Sequence, residues 1–370
     1  TVINGWERVE YIKPSKDFHP SLSFHFDEVF DIVANEVKNI QNNVGLTEVN
    51  GFNRFEISGP DANGFVERIF CGNITQKSGR VSLGYLLNDL GMIKSEATIS
   101  NIPASDRGPK RMWYGSAAAS EFHDLDWLEQ NINTDEDVEI RSLTNDQTIL
   151  LIAGPKAREV LSKCSREDWS KEAFPWLSIR ECFIGFSAAT VMSVSFSGEL
   201  AYEVHVPNES LYAAYLTLFK AGEEFGMKLF GSRAVESMRM EKGFLAWKSD
   251  LLTEFDPYET GLERFVNLSK DNFIGKKALQ KRINNGLNQK LVCLQVACKH
   301  APAYGGASLM EDGKVVGTIT SGDWGHRVNL NLAYAFVNPE KSKEGTQMHL
   351  DLLGEVVEVE VIPFGPYDKT

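Results

Sequence analysis

The chain has 370 residues, and its 51 Asp and Glu outnumber its 38 Lys and Arg, which gives a net charge of −13. This acidic surplus argues against a nucleic-acid-binding protein and against docking on an anionic membrane surface, although a local basic pocket could still hold an anionic small ligand. The length is sufficient for two or three hydrophobic cores. There is no apolar run of membrane length, no signal-peptide pattern and no CxxC pair among the five scattered cysteines, so we expect a cytoplasmic protein.

The first part of the chain contains an internal repeat. After a helix predicted over residues 27–43, a strand, a Gly-Pro turn and an amphipathic helix follow one another at residues 55–70 (FEISGPDANGFVERIF) and again at residues 149–164 (ILLIAGPKAREVLSKC). A β-hairpin is predicted after each copy, over residues 84–102 and residues 189–207. The repeat indicates two α/β halves that arose by duplication.

Amphipathic helices are also predicted over residues 117–131 and residues 209–225. A further helix in residues 231–247 is expected to begin near Ser232 and to close near Gly243.

The character of the chain changes after this helix. Residues 267–289 are polar and basic and are predicted to be a link. From about residue 290 onward, short strands alternate with Gly-rich turns, which is typical of a small antiparallel barrel or sandwich. The chain begins with Thr, from which we expect processing, trimming or excision from a longer polypeptide.

Each predicted hairpin carries a glutamate five residues after its turn glycine. Glu96 follows Gly91, and Glu203 follows Gly198. Strand alternation places each glutamate on the less apolar face of its strand. Such a face is either solvated, as alternating carboxylates often are, or turned toward a cleft shared by the two halves.

Sequence motifs for several kinds of chemistry are missing. No GxGxxG follows a predicted strand, and no P-loop, GxSxG or HExxH is present. Cys293, Cys298 and His300 are close in sequence, but no second ligand pair follows at zinc spacing, so no metal site is predicted. His123 and Asp124 are interpreted as a surface or capping pair. Carboxylates, a helical arginine and aromatic residues remain, and this set suits a flat polar heterocycle with acidic N–H groups.

Seven short segments stand out along the chain, namely RFEISGPDA, NDLGMIKSEATIS, HDLDWL, FSGELAYEVHVP, MRMEKGFLAW, KDNFIGKKAL and KVVGTITSG. In their order they resemble the aminomethyltransferase family, to which the glycine-cleavage T-protein belongs. The chain most resembles the folate-binding C-terminal half of dimethylglycine and sarcosine dehydrogenases, and GWERVEYI is similar to the junction that follows the flavin domain in those enzymes.

The resemblance implies an α+β fold, a three-domain cloverleaf around a central folate channel with duplicated α/β halves and a C-terminal antiparallel β-barrel. The implied domains are residues 1–54 with 147–280, residues 55–146, and residues 281–370.

The resemblance also implies site residues, with tetrahydrofolate as the cofactor. Glu203 matches the family's pteridine-binding glutamate, Arg239 matches an arginine on the family's folate helix, and Phe196 stands where relatives have tyrosine. A structural ion pair of Arg239 with Glu241 or another carboxylate is the alternative. Glu96 is the implied catalytic residue, at a position where the T-protein has aspartate.

Three aromatic residues, Tyr85, Trp247 and Trp324, are implied to line the substrate channel, with core packing as the alternative for the two tryptophans. Two departures from the T-protein pattern, Leu83 for a tyrosine and Gly115 for an asparagine, argue against glycine cleavage itself.

The sequence therefore predicts a tetrahydrofolate-dependent one-carbon transferase or demethylase for a small methylated amine such as dimethylglycine or sarcosine, with a flavin dehydrogenase as a possible partner. Direct methyl transfer from a sulfonium such as dimethylsulfoniopropionate is one alternative, and a non-catalytic folate-binding domain or scaffold protein is another. The anionic tail of folate further predicts a basic mouth formed by Arg239 and the link. The link residues concerned are Lys270, Lys276, Lys277, Lys281 and Arg282.

Overall fold

The computed structural model describes residues 1–3, 5–21, 23–117 and 120–367. The elements of the first stretch are, in chain order, β1 (Val2–Ile3), β2 (Trp6–Glu7), α1 (Val29–Asn42), β3 (Gly45–Val49), β4 (Asn53–Ser58), α2 (Ala62–Ile69), β5 (Val81–Leu87), β6 (Ile93–Ile102), β7 (Arg111–Ser116), α3 (Glu121–Gln130) and β8 (Glu139–Ser142).

The second stretch repeats the order of strand, helix and hairpin. Its elements are β9 (Gln147–Ala153), α4 (Ala157–Cys164), β10 (Ile179–Ile184), β11 (Ser187–Met192), β12 (Ala201–Pro207), α5 (Leu211–Gly222), β13 (Lys228–Leu229) and α6 (Ser232–Glu241). A helix and six strands complete the chain. They are α7 (Lys276–Asn285), β14 (Lys290–Val296), β15 (Ser308–Glu311), β16 (Lys314–Gly325), β17 (Leu330–Val337), β18 (Gln347–Leu352) and β19 (Glu355–Ile362).

The two copies of the repeat form two sheets. The first sheet has the strand order β5-β6-β7-β4-β8, and the second has the order β10-β11-β12-β9-β3-β13. In the first sheet, α2 and α3 cover one face and bury Phe65 and Leu128 against Phe55 and Tyr114. In the second, α4 and α5 cover the equivalent face. Each half therefore has one face covered by its own helices, which confirms the predicted duplication.

The C-terminal strands close into a barrel in the order β14-β17-β16-β15-β18-β19. Its alternating inward residues, such as Leu294, Ala333 and Leu350, form a separate core. The antiparallel barrel is therefore confirmed, and the sandwich alternative is wrong.

The helix predictions are confirmed with shorter bounds. Residues 118 and 119, at the start of the helix predicted over residues 117–131, lie outside the described residues. The predicted link contains a helix that its polar sequence did not indicate, α7, which buries Leu279.

The proposed domain limits stay a prediction, and β4 begins just before the limit at residue 54. No described helix combines the length and the apolar character needed to cross a membrane.

The turn glycines of the two hairpins are required by close contacts with other elements. Gly91 has φ +77°, and a Cβ there would lie 2.6 Å from the backbone nitrogen of Leu279 in α7. Gly198 has φ +75°, and a Cβ there would overlap the side chain of Lys242 at the end of α6. Both features exclude ordinary side chains. The hairpin turns therefore dock against α7 and α6, and this docking fixes the strands that carry Glu96 and Glu203.

Candidate active site

The sheet faces that their own helices leave uncovered pack against each other. An apolar cluster joins them, formed by Val81, Leu83, Ile102, Trp113, Leu143, Leu177, Ile179, Met192 and Val194. Glu96 shares its strand face with Ile102, and Glu203 pairs in register with Met192. Both glutamates therefore lie on faces that are turned inward, toward the space between the halves, and the solvated-face alternative is wrong.

The carboxyl group of Glu96 is desolvated, although the residue as a whole is not fully buried. It pairs across the strands with Tyr85, whose hydroxyl donates a hydrogen bond of 3.3 Å to Glu96 Oε1. The ring of Phe265 meets the Tyr85 ring edge-on, at 5.5 Å between centroids. Burial raises the pKa of Glu96 to about 7, and the Tyr85 hydrogen bond only partly opposes this shift. Glu96 can therefore both give and accept a proton near neutral pH.

Glu203 is more open, with its side chain 31% exposed, and it lies beside a buried histidine. Its Oε2 is 3.2 Å from Nε2 of His205, which packs edge-on against Trp113 of the other sheet at 5.5 Å. Burial lowers the pKa of His205, although Glu203 raises it, so the ring is neutral near pH 7. The other ring nitrogen of His205, Nδ1, has no hydrogen-bond partner among the described residues.

Arg54 was missed by sequence reasoning, although it opens the segment RFEISGPDA. It is 4% exposed. On the sheet, Arg54 of β4 pairs with Gly115 of β7, which in turn pairs with Thr98 of β6. Its Nη2 donates to the carbonyls of Thr144 and Gln147, while Nε and Nη1 have no partner among the described residues. Burial lowers its pKa to about 10, opposed mainly by the nearby Glu203 carboxylate.

The unused N–H donors of Arg54 and the partly exposed carboxylate of Glu203 are complementary to a flat heterocycle that has both hydrogen-bond donors and acceptors. Arg54 can donate to a ring carbonyl, and Glu203 can accept from a ring N–H and an exocyclic amino group. Buried polar atoms without partners are costly, so their presence in this structure favours a ligand that satisfies them.

Arg239 is fully buried in α6. Its guanidinium donates to Asp250 at 2.6 Å and to the carbonyl of Phe244 at 3.1 Å, and it also pairs with Glu236. Burial would lower its pKa, but Glu236 and Asp250 outweigh burial and raise it. Nε has no partner among the described residues. An ion pair is thus present, with Asp250 and Glu236 instead of Glu241, and a folate contact by Arg239 stays a prediction.

The predicted aromatic residues occupy different places. The ring of Phe196 is 43% exposed and stacks on Phe244 at 6.0 Å. Trp247 is partly buried beside the core that contains Tyr85, and its Nε1 has no partner among the described residues. Trp324 packs edge-on against Phe30 instead, at 5.7 Å, which separates it from the other two.

The two departures from the T-protein pattern have local explanations. Leu83 belongs to the cluster between the sheets, where a hydroxyl would lie among apolar side chains. At Gly115, a Cβ would lie 2.7 Å from Oγ1 of the neighbouring Thr98, so Thr98 fills the space that a larger residue would need.

Several residues of the predicted basic mouth are engaged in contacts within the fold. Lys270 donates to three carbonyls at the end of α2, Lys276 donates to the carbonyl of Lys270, and Arg282 pairs with the buried Asp256 at 2.8 Å. Arg239 has no exposed surface. Lys277 and Lys281 are exposed on α7, and the basic mouth stays a prediction.

Of Cys293, Cys298 and His300, for which no metal site is predicted, the structure brings two together. Cys298 Sγ lies 3.6 Å from Nδ1 of His300, whereas Cys293 is buried in a different core. Among the described residues, no three His, Cys, Asp or Glu side chains are grouped to hold a metal ion. Asp124 is buried and accepts hydrogen bonds from Ser95 at 3.0 Å and Ser116 at 2.5 Å in the core of the first sheet. Its Oδ1 also lies 2.9 Å from Nδ1 of the exposed His123, so the predicted pair is present with only His123 at the surface.

Two family models together match most of the chain. One, described as the GCVT N-terminal domain, matches residues 1–270. The other, described as the glycine cleavage T-protein C-terminal barrel domain, matches residues 289–368.

Individual relatives agree with these matches. The mitochondrial dimethylglycine dehydrogenase of Homo sapiens is 34% identical over 354 residues, which cover 95% of this chain and 40% of that protein. The chain therefore spans well under half the length of that relative. An aminomethyltransferase from Thermoanaerobacter pseudethanolicus is 25% identical over 341 residues, covering 92% of this chain and 90% of that protein.

The solved glycine cleavage system aminomethyltransferase T from Bartonella henselae superposes with a TM-score of 0.82 over 94% of both chains, at 20% identity, and shows that the fold is shared. The chain thus belongs to the glycine cleavage T-protein family, as the seven sequence segments predicted.

Proposed function

We propose that this chain is a tetrahydrofolate-dependent one-carbon transferase that acts on a small methylated amine of the dimethylglycine or sarcosine type. The observation that carries the proposal is that two carboxyl groups in unlike surroundings, those of Glu96 and Glu203, lie on the facing surfaces of the two sheets. Glu96 has a pKa of about 7, whereas Glu203 is partly exposed and acts electrostatically on Arg54, whose Nε and Nη1 have no partner among the described residues. Pairs of titratable groups in contrasting environments are typical of an acid–base site.

Glu203 and Arg54 would hold the pterin ring. The carboxylate of Glu203 would accept hydrogen bonds from a ring N–H and from the exocyclic amino group, and Nε and Nη1 of Arg54 would donate to a ring carbonyl. His205 and Trp113 back this arrangement from opposite sheets. Fixing the ring on two sheets holds it in one orientation, which lowers the entropic cost of reaction.

Glu96 would move a proton at the reacting amine. Its carboxylate form can orient or deprotonate the amine, and its acid form can return the proton, because both forms are populated near neutral pH. Bound tetrahydrofolate supplies the nitrogen that accepts the one-carbon unit. The hydroxyl of Tyr85 keeps Oε1 of Glu96 oriented during this exchange.

Oxidation of an N-methyl group requires a redox partner, which we propose to be a flavin dehydrogenase. The relatives named dimethylglycine dehydrogenase and sarcosine dehydrogenase support both this partner and the methylated-amine substrate. Our proposal therefore places the chain downstream of the oxidation, as the acceptor of the oxidised carbon.

An assay of the folate product tests this proposal. The chain is incubated with tetrahydrofolate, a flavin dehydrogenase and either dimethylglycine or sarcosine, and the folates are separated and identified. We expect 5,10-methylene-tetrahydrofolate to form faster than in the same mixture without the chain, because the bound folate is positioned for capture.

The matched controls omit the dehydrogenase or replace the amine with dimethylsulfoniopropionate. Formation of 5-methyl-tetrahydrofolate from the sulfonium without any oxidant would establish direct methyl transfer instead. Folate binding without acceleration of either product would show a non-catalytic folate-binding domain.

A further inference from the structure

A cavity that neither Glu96 nor Glu203 lines lies between the start of α1 and the barrel. It has a volume of about 270 Å³ and is lined by residues 21, 23–27, 29, 30 and 33, by Arg233 of α6, and by Pro302, Tyr304, Asp323 and His326 of the barrel unit. None of its lining residues belongs to the facing surfaces of the two sheets. The cavity is therefore a separate candidate site.

One side of this cavity is an aromatic wall. The rings of Phe26 and Phe30 lie 4.8 Å apart, and His326 lies 4.7 Å from Phe30. Trp324 supports both phenylalanines edge-on from behind, at 5.8 and 5.7 Å. The backbone N–H of Phe26 donates to the carbonyl of His300 at 2.8 Å, which anchors the wall to the barrel.

A carboxylate without an ion-pair partner faces this wall. Oδ1 of Asp323 accepts the N–H of Trp324 at 2.7 Å, and the described residues provide no salt bridge to Asp323. The nearest cations are already paired, since Arg239 binds Asp250 and Glu236, and Arg233 lies 3.2 Å from Glu10. Burial, and then Glu236, raise the pKa of Asp323 to about 7, as expected for a carboxyl group that lacks a counter-ion.

The histidine in the wall does not supply that counter-ion. Burial lowers the pKa of His326 to about 4, although Asp31 opposes the shift, so the ring is neutral near pH 7. The other aspartate of the cavity, Asp27, accepts the N–H of Val29 at 2.9 Å at the start of α1. Apart from Arg233, which is paired with Glu10, the cavity therefore combines neutral aromatic faces with the carboxylates of Asp323 and Asp27, neither of which has a salt bridge among the described residues.

We infer that this cavity binds a small methylated ammonium ion, with Asp323 as its counter-ion and Phe26, Phe30 and Tyr304 around its methyl groups. Aromatic faces attract such cations through their negative quadrupole, and methyl groups prefer an apolar wall to water. A hard metal ion would need several oxygen ligands, which an aromatic wall does not provide. The inference does not depend on the proposed function, because the two sites share no residue.

Titration of the full chain with choline tests this inference, with 3,3-dimethylbutan-1-ol as the uncharged isostere of the same shape. Binding is followed by saturation-transfer NMR at constant ionic strength. We expect choline to bind about tenfold more tightly than the isostere, in line with a desolvated cation–π contact and a counter-ion. Equal affinities, or no saturable binding of choline, would overturn the inference, and neither outcome depends on the folding of a variant.

Three variants locate the site. Asp323→Asn is expected to weaken choline binding about tenfold or more. Asp31→Asn removes the same charge from the exposed side of α1 and is expected to change the affinity less than about twofold, because exposed charges are screened. Phe30→Leu keeps apolar volume but removes a π face, so it is expected to weaken choline severalfold and the isostere hardly at all. Unchanged choline affinity in folded Asp323→Asn would overturn the inference.

Discussion

Replacing Glu96 with glutamine is expected to lower the rate of folate-dependent one-carbon transfer by about 10²–10⁴-fold, the usual contribution of a positioned general acid–base group. Glutamine keeps the shape and can still accept the hydrogen bond from Tyr85, but it cannot exchange a proton. The measurement is single-turnover product formation with saturating folate, which separates the chemical step from binding.

The same variant should also be more stable than the parent chain at high pH. The folded pKa of Glu96, about 7, exceeds its ordinary value of 4.5, so the folded state holds this proton more tightly than the unfolded state does. Ionisation of Glu96 therefore lowers the stability as the pH rises from about 4.5 to about 7, and the cost stays constant above that range. Because glutamine avoids this cost, Glu96→Gln should gain about 1–3 kcal/mol in unfolding free energy near pH 8 and little near pH 5.

Glu48→Gln is the matched control, since Glu48 is exposed on β3 of the other sheet. It should change neither the rate nor the pH dependence of stability. A Glu96→Gln variant with the parent's rate would remove Glu96 from the chemistry, and one with the parent's stability at every pH would contradict the burial of its charge.

Replacing Arg327 with methionine is expected to lower the free energy of unfolding by about 3–5 kcal/mol, because buried carboxylates lose their counter-ion. Arg327 is fully buried, pairs with Glu199 at 2.9 Å and with Glu241, and donates to the carbonyl of Met238 at 2.7 Å. Its guanidinium also lies 3.9 Å from the ring centroid of Tyr367. One side chain thus ties the barrel, α6, the second hairpin and the C-terminal segment together.

Urea unfolding measures this effect as a shift of the midpoint with an unchanged slope. Arg141→Met is the control, because Arg141 and Asp146 form a 3.0 Å pair with side chains 62% and 52% exposed. Such a pair contributes about 0–1 kcal/mol. Equal losses in the two variants would contradict the role of the buried network.

The duplicated fold could be predicted from the sequence because its signals are local. A Gly-Pro turn between a strand and an amphipathic helix is recognisable from neighbouring residues, as is a glutamate five residues after a turn glycine. Alternation then placed Glu96 and Glu203 on definite strand faces. Which way those faces turn depends on how the two sheets pack together, and Glu96 and Glu203 are 107 residues apart in the chain, so this information is not local.

The residues that were missed have long-range partners. Arg54 lies in a strand, and arginine is a residue type that is usually exposed. Only its contacts with the carbonyls of Thr144 and Gln147 reveal its burial. The same reason explains why the partner of Arg239 is Asp250, in a loop, and why Glu241 pairs with Arg327 instead. Helix α7 was read as a link because its sequence is polar except for a few residues, of which Leu279 is buried.

The most direct test of the central claim, that folate binds between the facing sheets, is calorimetric titration of the chain and of Glu203→Gln with tetrahydrofolate. Glu209→Gln, an exposed change just beyond the end of β12, serves as the control. We predict saturable binding by the parent chain and the control, and binding by Glu203→Gln that is weaker by about 1.5–3 kcal/mol, the contribution of charge-assisted hydrogen bonds. Absence of binding to the parent chain, or equal affinity in Glu203→Gln, would contradict this account.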